Sequence, residues 1–211
     1  MYMITEYSKI CLILSCKREY YAKRREASKE RNKMLKSLGF TVIFLFGDEN
    51  ILHSELRSED GDINLYVPIE DTYMNITYKM LEAYKYLSRH NVRGILKLDD
   101  DVIINEYRIF GTNFMEYDYA GLGIGRIYSG PLMMKYTGEY YNIENDIIYF
   151  AGPFYWLSNK AILQVVNVGY KYPWEDVNTG HAISLDNSIT TCKTDFFDRG
   201  YVYWNADTEH N

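Results

Sequence analysis

From Ile10 to Ser15 the chain is almost unbroken in apolar residues, and from Tyr21 to Leu38 it turns charged with apolar positions at helical spacing, stopping at Gly39. The short bounded run predicts a buried strand and the amphipathic stretch a single helix. Thr41 to Phe46, β-branched and aromatic and closed by Gly47 and Asp48, predicts a second strand. Strand, helix, strand is a βαβ unit, which implies parallel pairing. A third strand is expected at Ile63 to Val67. Asp71 or Thr72 then caps a helix to about Arg89 with Met74, Leu81, Tyr84 and Leu87 on its apolar side. Gly94 to Leu98 resumes strand character and runs straight into Asp99, Asp100 and Asp101, so three acids meet the carboxyl end of a strand, the edge at which open α/β sheets bind ligands. Beyond it, Tyr117–Gly125 and Ile147–Leu157 read as extended, Asn159–Val168 as helical and Trp174–Ser184 as a further helix. The expected class is α/β, with a twisted, mostly parallel central sheet flanked by helices.

No repeat, low-complexity run or Pro/Ser-rich linker divides the 211 residues, and 47% hydrophobic with 25% charged suits one domain over 1–211. The 23 basic and 29 acidic residues leave a net charge of −6, which argues against nucleic acid or an anionic membrane as the main partner. The apolar run Ile10–Leu14 falls far short of the roughly 20 residues that span a bilayer and makes a poor signal peptide. Three cysteines, Cys11, Cys16 and Cys192, predict no disulfide and a reducing, cytoplasmic setting. Tyrosine is over-represented, at 22 residues. Such rings suit sugar binding and rim packing equally well.

Consecutive carboxylates repel and raise one another's pKa unless a cation lies among them. Mg²⁺ or Mn²⁺ is the simplest remedy, since these ions bind through one or two carboxylates with a phosphate completing the shell. A solvated turn is the alternative, but Leu96 and Leu98 before the acids and Val102, Ile103 and Ile104 after them pin the segment between buried runs. A metal-bound diphosphate suits transfer chemistry, because the cation stabilises charge on the leaving group. The acceptor hydroxyl then needs a base, and Trp174-Glu175-Asp176 is the second concentrated acidic site. Read from spacing alone, Glu175 and Asp176 serve equally well as helix N-terminal acids after Pro173. Of the four histidines, His53, His90, His181 and His210, none gains a role from its own neighbourhood.

The segment Lys97–Asn105, KLDDDVIIN, resembles the metal-binding segment of the β-1,3-galactosyltransferase and Fringe family of GT-A glycosyltransferases. Gly61-Asp62-Ile63, Asp71 through Lys79, Tyr149–Ser158 and Glu175-Asp176-Val177 with Gly180 resemble further motifs of that family in order and spacing. The resemblance implies a single GT-A (Rossmann-like) domain that moves a hexose from a UDP-sugar to a glycan or glycoprotein hydroxyl with inversion. By it Asp99 and Asp101 take the D-x-D positions, Asp101 as metal ligand, with His210 as a further ligand and Mn²⁺ (or Mg²⁺) as cofactor. Asp176 takes the place of the base. The nucleotide-sugar set comprises Ser15, Arg24, Arg25, Lys79, Asp99, Asp100 and Gly152, with Lys79 balanced against a solvated helix lysine. Gly152-Pro153-Phe154 departs from the family's glycine run by placing bulk where glycines leave room. Animal members of the family carry a membrane anchor and disulfides, and neither is evident here, so the expectation is a cytosolic enzyme of a microbe or a large DNA virus; the sequence is similar to domains that algal viruses use on capsid glycans. The end at Asn211, directly after His210, points to a piece of a longer protein. Two rivals are a Mg²⁺-dependent phosphohydrolase using the same acids and a non-enzymatic glycan-binding module built on the tyrosines.

Overall fold

The computed structural model describes Ile4, residues 7–192, Gly200 and Val202–Trp204. Its elements in chain order are β1 (Lys9–Leu14), α1 (Glu19–Ala27), α2 (Lys29–Ser37), β2 (Phe40–Gly47), β3 (Glu55–Glu59), β4 (Asp62–Val67), α3 (Ile76–Ser88), β5 (Gly94–Asp99), β6 (Val102–Ile104), α4 (Glu106–Ile109), β7 (Tyr119–Ile127), β8 (Gly130–Met133), β9 (Tyr140–Ile143), β10 (Ile147–Ser158), α5 (Asn159–Val168), α6 (Glu175–Ser184) and β11 (Val202–Trp204).

Seven strands form the central sheet in the order β3-β4-β2-β1-β5-β10-β7. The middle four, β4, β2, β1 and β5, are parallel, while β3 and β10 run against their neighbours and β7 runs against β10. The direction shared by five of the seven strands makes the sheet mostly parallel, as expected. Successive residues of a strand point to opposite faces, so a strand buried on both sides is apolar throughout. In β1, Ile10 and Leu12 enter the layer beneath α3, α5 and α6, while Cys11 and Ile13 enter the layer that holds Leu35 of α2, Ile109 and Phe114.

The single helix expected from Tyr21 to Leu38 is two. Ser28 breaks it, with φ −91° and ψ 4°, and its hydroxyl donates to the Arg25 carbonyl. Serine competes with a helix in this way through its own backbone bonds. α1 buries no residue, because Glu19–Ala27 carries no apolar face; α2 docks through Leu35. The helix expected from Asp71 begins later. Tyr73–Asn75 forms one 3₁₀ turn, Asp71 is paired with Lys79 and does not cap, and α3 packs through Met80, Ala83, Tyr84 and Leu87, with Met74 and Leu81 half-buried. β3 went unread because it is a polar edge strand. Its turn into β4 uses Asp60 and Gly61, both at positive φ, the geometry that two-residue hairpins favour. The β8–β9 hairpin and β6, which pairs with β11, are also additions to the sequence reading. Among the described residues no helix is long and apolar enough to cross a membrane.

Candidate active site

The parallel strands deliver Ser15 and Asp99 side by side, since Leu14 is in register with Asp99 and Ser15 follows β1 directly. The Ser15 hydroxyl donates to Asp100 Oδ2 at 2.8 Å, and Arg25 Nη1 donates to the Ser15 hydroxyl at 3.1 Å and to the Cys16 carbonyl at 2.7 Å. α1 contributes Arg24, whose Nη1 lies 3.0 Å from Asp101 Oδ2 and 3.4 Å from Asp100 Oδ1. The Arg24 guanidinium is also set over the Tyr20 ring at 4.7 Å, and its Nε is buried without a partner. Arg31 of α2 donates to the carbonyls of Asp99 and Val102 at 3.3 and 2.7 Å, clamping the acidic turn from below. Burial lifts the Asp100 carboxyl above its ordinary pKa, against the pull of Ser15 and Arg24.

Lys79 is not a solvated helix lysine. At 2% exposure it donates to the Ser15 carbonyl at 2.7 Å and pairs with Asp71. Burial lowers its pKa, with Asp71 opposing.

The second half of the site is built by β5, β10 and α6. Lys97, on the same face of β5 as Asp99, is 2% exposed and donates to Asp99 Oδ1 at 2.6 Å and to the Gly152 carbonyl, with Glu175 Oε2 at 3.9 Å. Burial pulls the ammonium down, but Asp99 and Glu175 beside it hold its pKa above the ordinary value. Gly152 reaches this spot because β10 slips its register against β7 between Ala151 and Tyr155. Such a bulge re-aims backbone groups, and Pro153 fits it because no ladder donor is required there. The bulk expected from Gly152-Pro153-Phe154 does not fill the cleft as a whole: Phe154 is fully buried against Phe114 in the lower core, and of the two bulky residues Pro153 lines the cleft beside Gly152.

Asp176 sits in the first turn of α6. Its Oδ2 accepts the Gly152 amide at 3.2 Å and its Oδ1 accepts its neighbour Val177's amide at 2.8 Å. Burial raises its pKa against those two amides and Lys97. Glu175 beside it is buried too, takes the Tyr155 hydroxyl, and through that hydroxyl connects to Tyr84 at 2.6 Å. Burial pushes Glu175 up to about 7, opposed by Lys97 and reinforced by Asp176.

A cavity of about 560 Å³ opens on Ser15, Arg18, Arg24, Lys79, Asp99 and Asp101. A second, of about 260 Å³, opens on Lys97, Gly152, Trp174 and Asp176. Both are walled by Leu14, Tyr73, Ile76 and Asp99, so they form one cleft along the carboxyl edge of the parallel strands. Asp100 lines the larger cavity with both oxygens taken, by Ser15 and Arg24, and Arg25, which stands over the Phe46 ring, supports it through the Ser15 hydroxyl.

The repulsion among the three acids is relieved by the chain's own cations, Arg24 and Lys97, which corrects the argument that a metal is needed for that purpose. The donor set still fits one. Asp99 and Asp101 both face the larger cavity, and a hard divalent ion binds through one or two carboxylates with phosphate oxygens. Among the described residues no three His, Cys, Asp or Glu side chains form a closed cage, and His210 lies outside the described residues.

Sequence reasoning missed Lys97, Arg31, Tyr155 and Tyr84. Lys97 alone left a signal: a lysine two positions before an acid in a strand otherwise apolar must find a buried partner.

The galactosyltransferase family model matches residues 24–189. A probable β-1,3-galactosyltransferase 5 of Arabidopsis thaliana is 25% identical over 185 residues, covering 75% of this chain and 46% of the relative. The human β-1,3-galactosyltransferase 4 is 35% identical over 82 residues, covering 33% of this chain and 21% of the relative. The chain therefore spans less than half the length of either. Among solved structures, a Drosophila β-1,4-galactosyltransferase 7 mutant in complex with manganese, UDP-galactose and xylobiose is similar at 13% identity and a TM-score of 0.47, covering 97% of this chain and 76% of that one. That likeness is too distant to bear on chemistry.

Proposed function

The chain belongs to the galactosyltransferase family, and on that premise we propose that it transfers a hexose from a UDP-sugar to a glycan hydroxyl, with inversion and with the help of Mn²⁺ or Mg²⁺. The observation that carries the reading is the continuous cleft, with Asp99 and Asp101 at one end and Asp176 at the other, tied together by Lys97 and Gly152.

In this reading the diphosphate lies at the Asp101 end, where Arg24 and Arg18 supply positive charge. A divalent ion held by Asp99 and Asp101 supplies Lewis-acid neutralisation of the departing nucleotide when bound. The acceptor hydroxyl enters at the smaller cavity, and Asp176 takes its proton as the sugar's anomeric carbon is attacked from the opposite side. Two backbone amides, those of Gly152 and Val177, hold the Asp176 carboxylate in one orientation, and its raised pKa brings it nearer the range of an effective base. The phosphohydrolase alternative gives no account of the family match. The test is Asp176→Asn: transfer should fall at least about a hundredfold, the lower range for removal of a general base, with UDP binding kept. Transfer near the wild-type rate, or a product that retains the donor's anomeric configuration, would remove Asp176 as base.

A further inference from the structure

Tyr73, on the wall shared by the two cavities, meets a second exposed aromatic ring, that of Tyr136. Tyr73, 59% exposed, comes from the 3₁₀ turn before α3, and Tyr136, 66% exposed, comes from the loop joining β8 to β9. Their centroids are 5.0 Å apart at 69°, an edge-on contact between segments far apart in sequence. Exposed rings in contact keep apolar surface in water, which calls for an explanation beyond core packing.

The loop that carries Tyr136 is fixed in place. The Met134 amide donates to the Glu139 carbonyl and the Gly138 amide to the Met134 carbonyl, both at 2.8 Å, and Gly138 takes the positive φ of 74° that the turn needs. Met134 is 2% exposed and lines the cavity. Leu132 and Tyr141 of the hairpin pack on a small core with Val177 and Trp174, and the Tyr141 and Trp174 rings meet edge-on at 5.5 Å. The hairpin is thus bolted to the start of α6, the turn that presents Asp176.

The smaller cavity, which Tyr73 lines, combines the apolar side chains of Ile76, Met134, Pro153, Pro173 and Trp174 with the charged groups of Lys97, Asp99, Glu175 and Asp176. A pyranose has complementary chemistry: one face of C–H bonds to lie on apolar and aromatic surface, and hydroxyls at its edge for Asp176. At about 260 Å³ the space is below the roughly 300–1,000 Å³ of pockets for drug-sized ligands, so it suits a single ring.

We propose that Tyr73, Tyr136 and Trp174 form the acceptor subsite, a clamp on the terminal pyranose of the acceptor glycan, and that the β8–β9 hairpin sets acceptor choice. The proposal rests on the transferase reading above for its place in a reaction, but the sugar contact itself does not depend on the donor. The test titrates methyl β-D-galactopyranoside, methyl β-D-glucopyranoside and methyl N-acetyl-β-D-glucosaminide into the full chain by ligand-observed NMR, and UDP with Mn²⁺ in parallel. Wild type, Tyr136→Ala and Tyr136→Phe are compared; Tyr136 is exposed, so truncation leaves the fold intact. The expected result is a glycoside that binds wild type and Tyr136→Phe alike and Tyr136→Ala about five- to tenfold more weakly, with equal UDP affinity in all three. Equal glycoside affinity in Tyr136→Ala and wild type, or UDP binding with no glycoside binding at all, overturns the clamp and leaves the transferase reading standing. Glycoside binding that depends on Tyr136 without any UDP binding keeps the clamp and removes the transferase reading. Binding of neither removes both.

Discussion

Glu175→Gln tests which of two opposed effects governs the buried centre. The Glu175 carboxyl is buried, with Lys97 Nζ 3.9 Å away and the Tyr155 hydroxyl donating to it. Attraction to Lys97 favours the carboxylate, and desolvation disfavours it; desolvation prevails, because the pKa stands at about 7 against an ordinary 4.5. The unfolded chain releases this proton near pH 4.5 and the folded chain keeps it to about pH 7. Between those limits the folded state binds more protons, so the contribution is fully present below pH 4.5 and is lost as pH rises through 7. At about 1.4 kcal/mol per tenfold change in proton affinity, the loss by pH 8 is about 3 kcal/mol. A glutamine keeps the shape and an acceptor for Tyr155 without the charge. Glu175→Gln should therefore be more stable than wild type at pH 8, by up to about 3 kcal/mol or roughly 6–12 °C in Tm, and equal to it near pH 4.5. Thermal unfolding followed by circular dichroism between pH 4.5 and 8.5 reads this directly. A variant less stable than wild type at pH 8 would mean that the Lys97–Glu175 attraction outweighs burial, and the reasoning would fail.

Two further outcomes follow from the same packing. Lys97→Met leaves Asp99 and buried Glu175 without their cation, and the loss should be about 3 kcal/mol at pH 8, the low end for breaking a buried pair, because half-exposed Asp99 is partly solvated. Below pH 6 Glu175 takes a proton and the loss should shrink; urea unfolding at pH 8 and 5.5 would contradict the account if the two losses were equal. Gly180→Ala offers a sign test. Alanine is better than glycine inside a helix by about 1 kcal/mol, yet a Cβ here would stand 2.6 Å from Tyr149 Cβ and 2.7 Å from the Ile148 carbonyl oxygen. Overpacking against backbone should win, with a net loss of about 1–2 kcal/mol by urea unfolding, and a stabilised variant would refute it.

The central strands were legible because β1, β2, β4 and β5 are buried on both faces, which writes an apolar run into the chain whatever their neighbours are. The edges were not. β3, ELRSE, is polar, and β8 and β9, GPLM and YYNI, are four residues each, too short to show a period. The break at Ser28 escaped because the backbone bonding that ends α1 leaves no trace in the residue pattern, and α1 has no apolar face of its own to mark it as a separate helix. In the site, the position of the acids at a strand end could be read from Leu96 and Leu98, but their neutralisers could not: Arg24 and Lys97 find them through the fold. From spacing alone Asp176 is equally a plain first-turn acid, and the resemblance to the family is what marks it as a base. The structure gives it both attributes, since it lies in the first turn of α6 and also faces the cleft.

Calorimetric titration of UDP into the chain, with Mn²⁺ and with a chelator, on wild type and Asp101→Ala tests the central claim most directly. The account predicts binding that needs the metal and is lost in Asp101→Ala, with the variant's fold unchanged by circular dichroism. UDP binding that ignores both chelator and substitution would contradict the metal assignment, and no UDP binding under any condition would contradict the donor site itself.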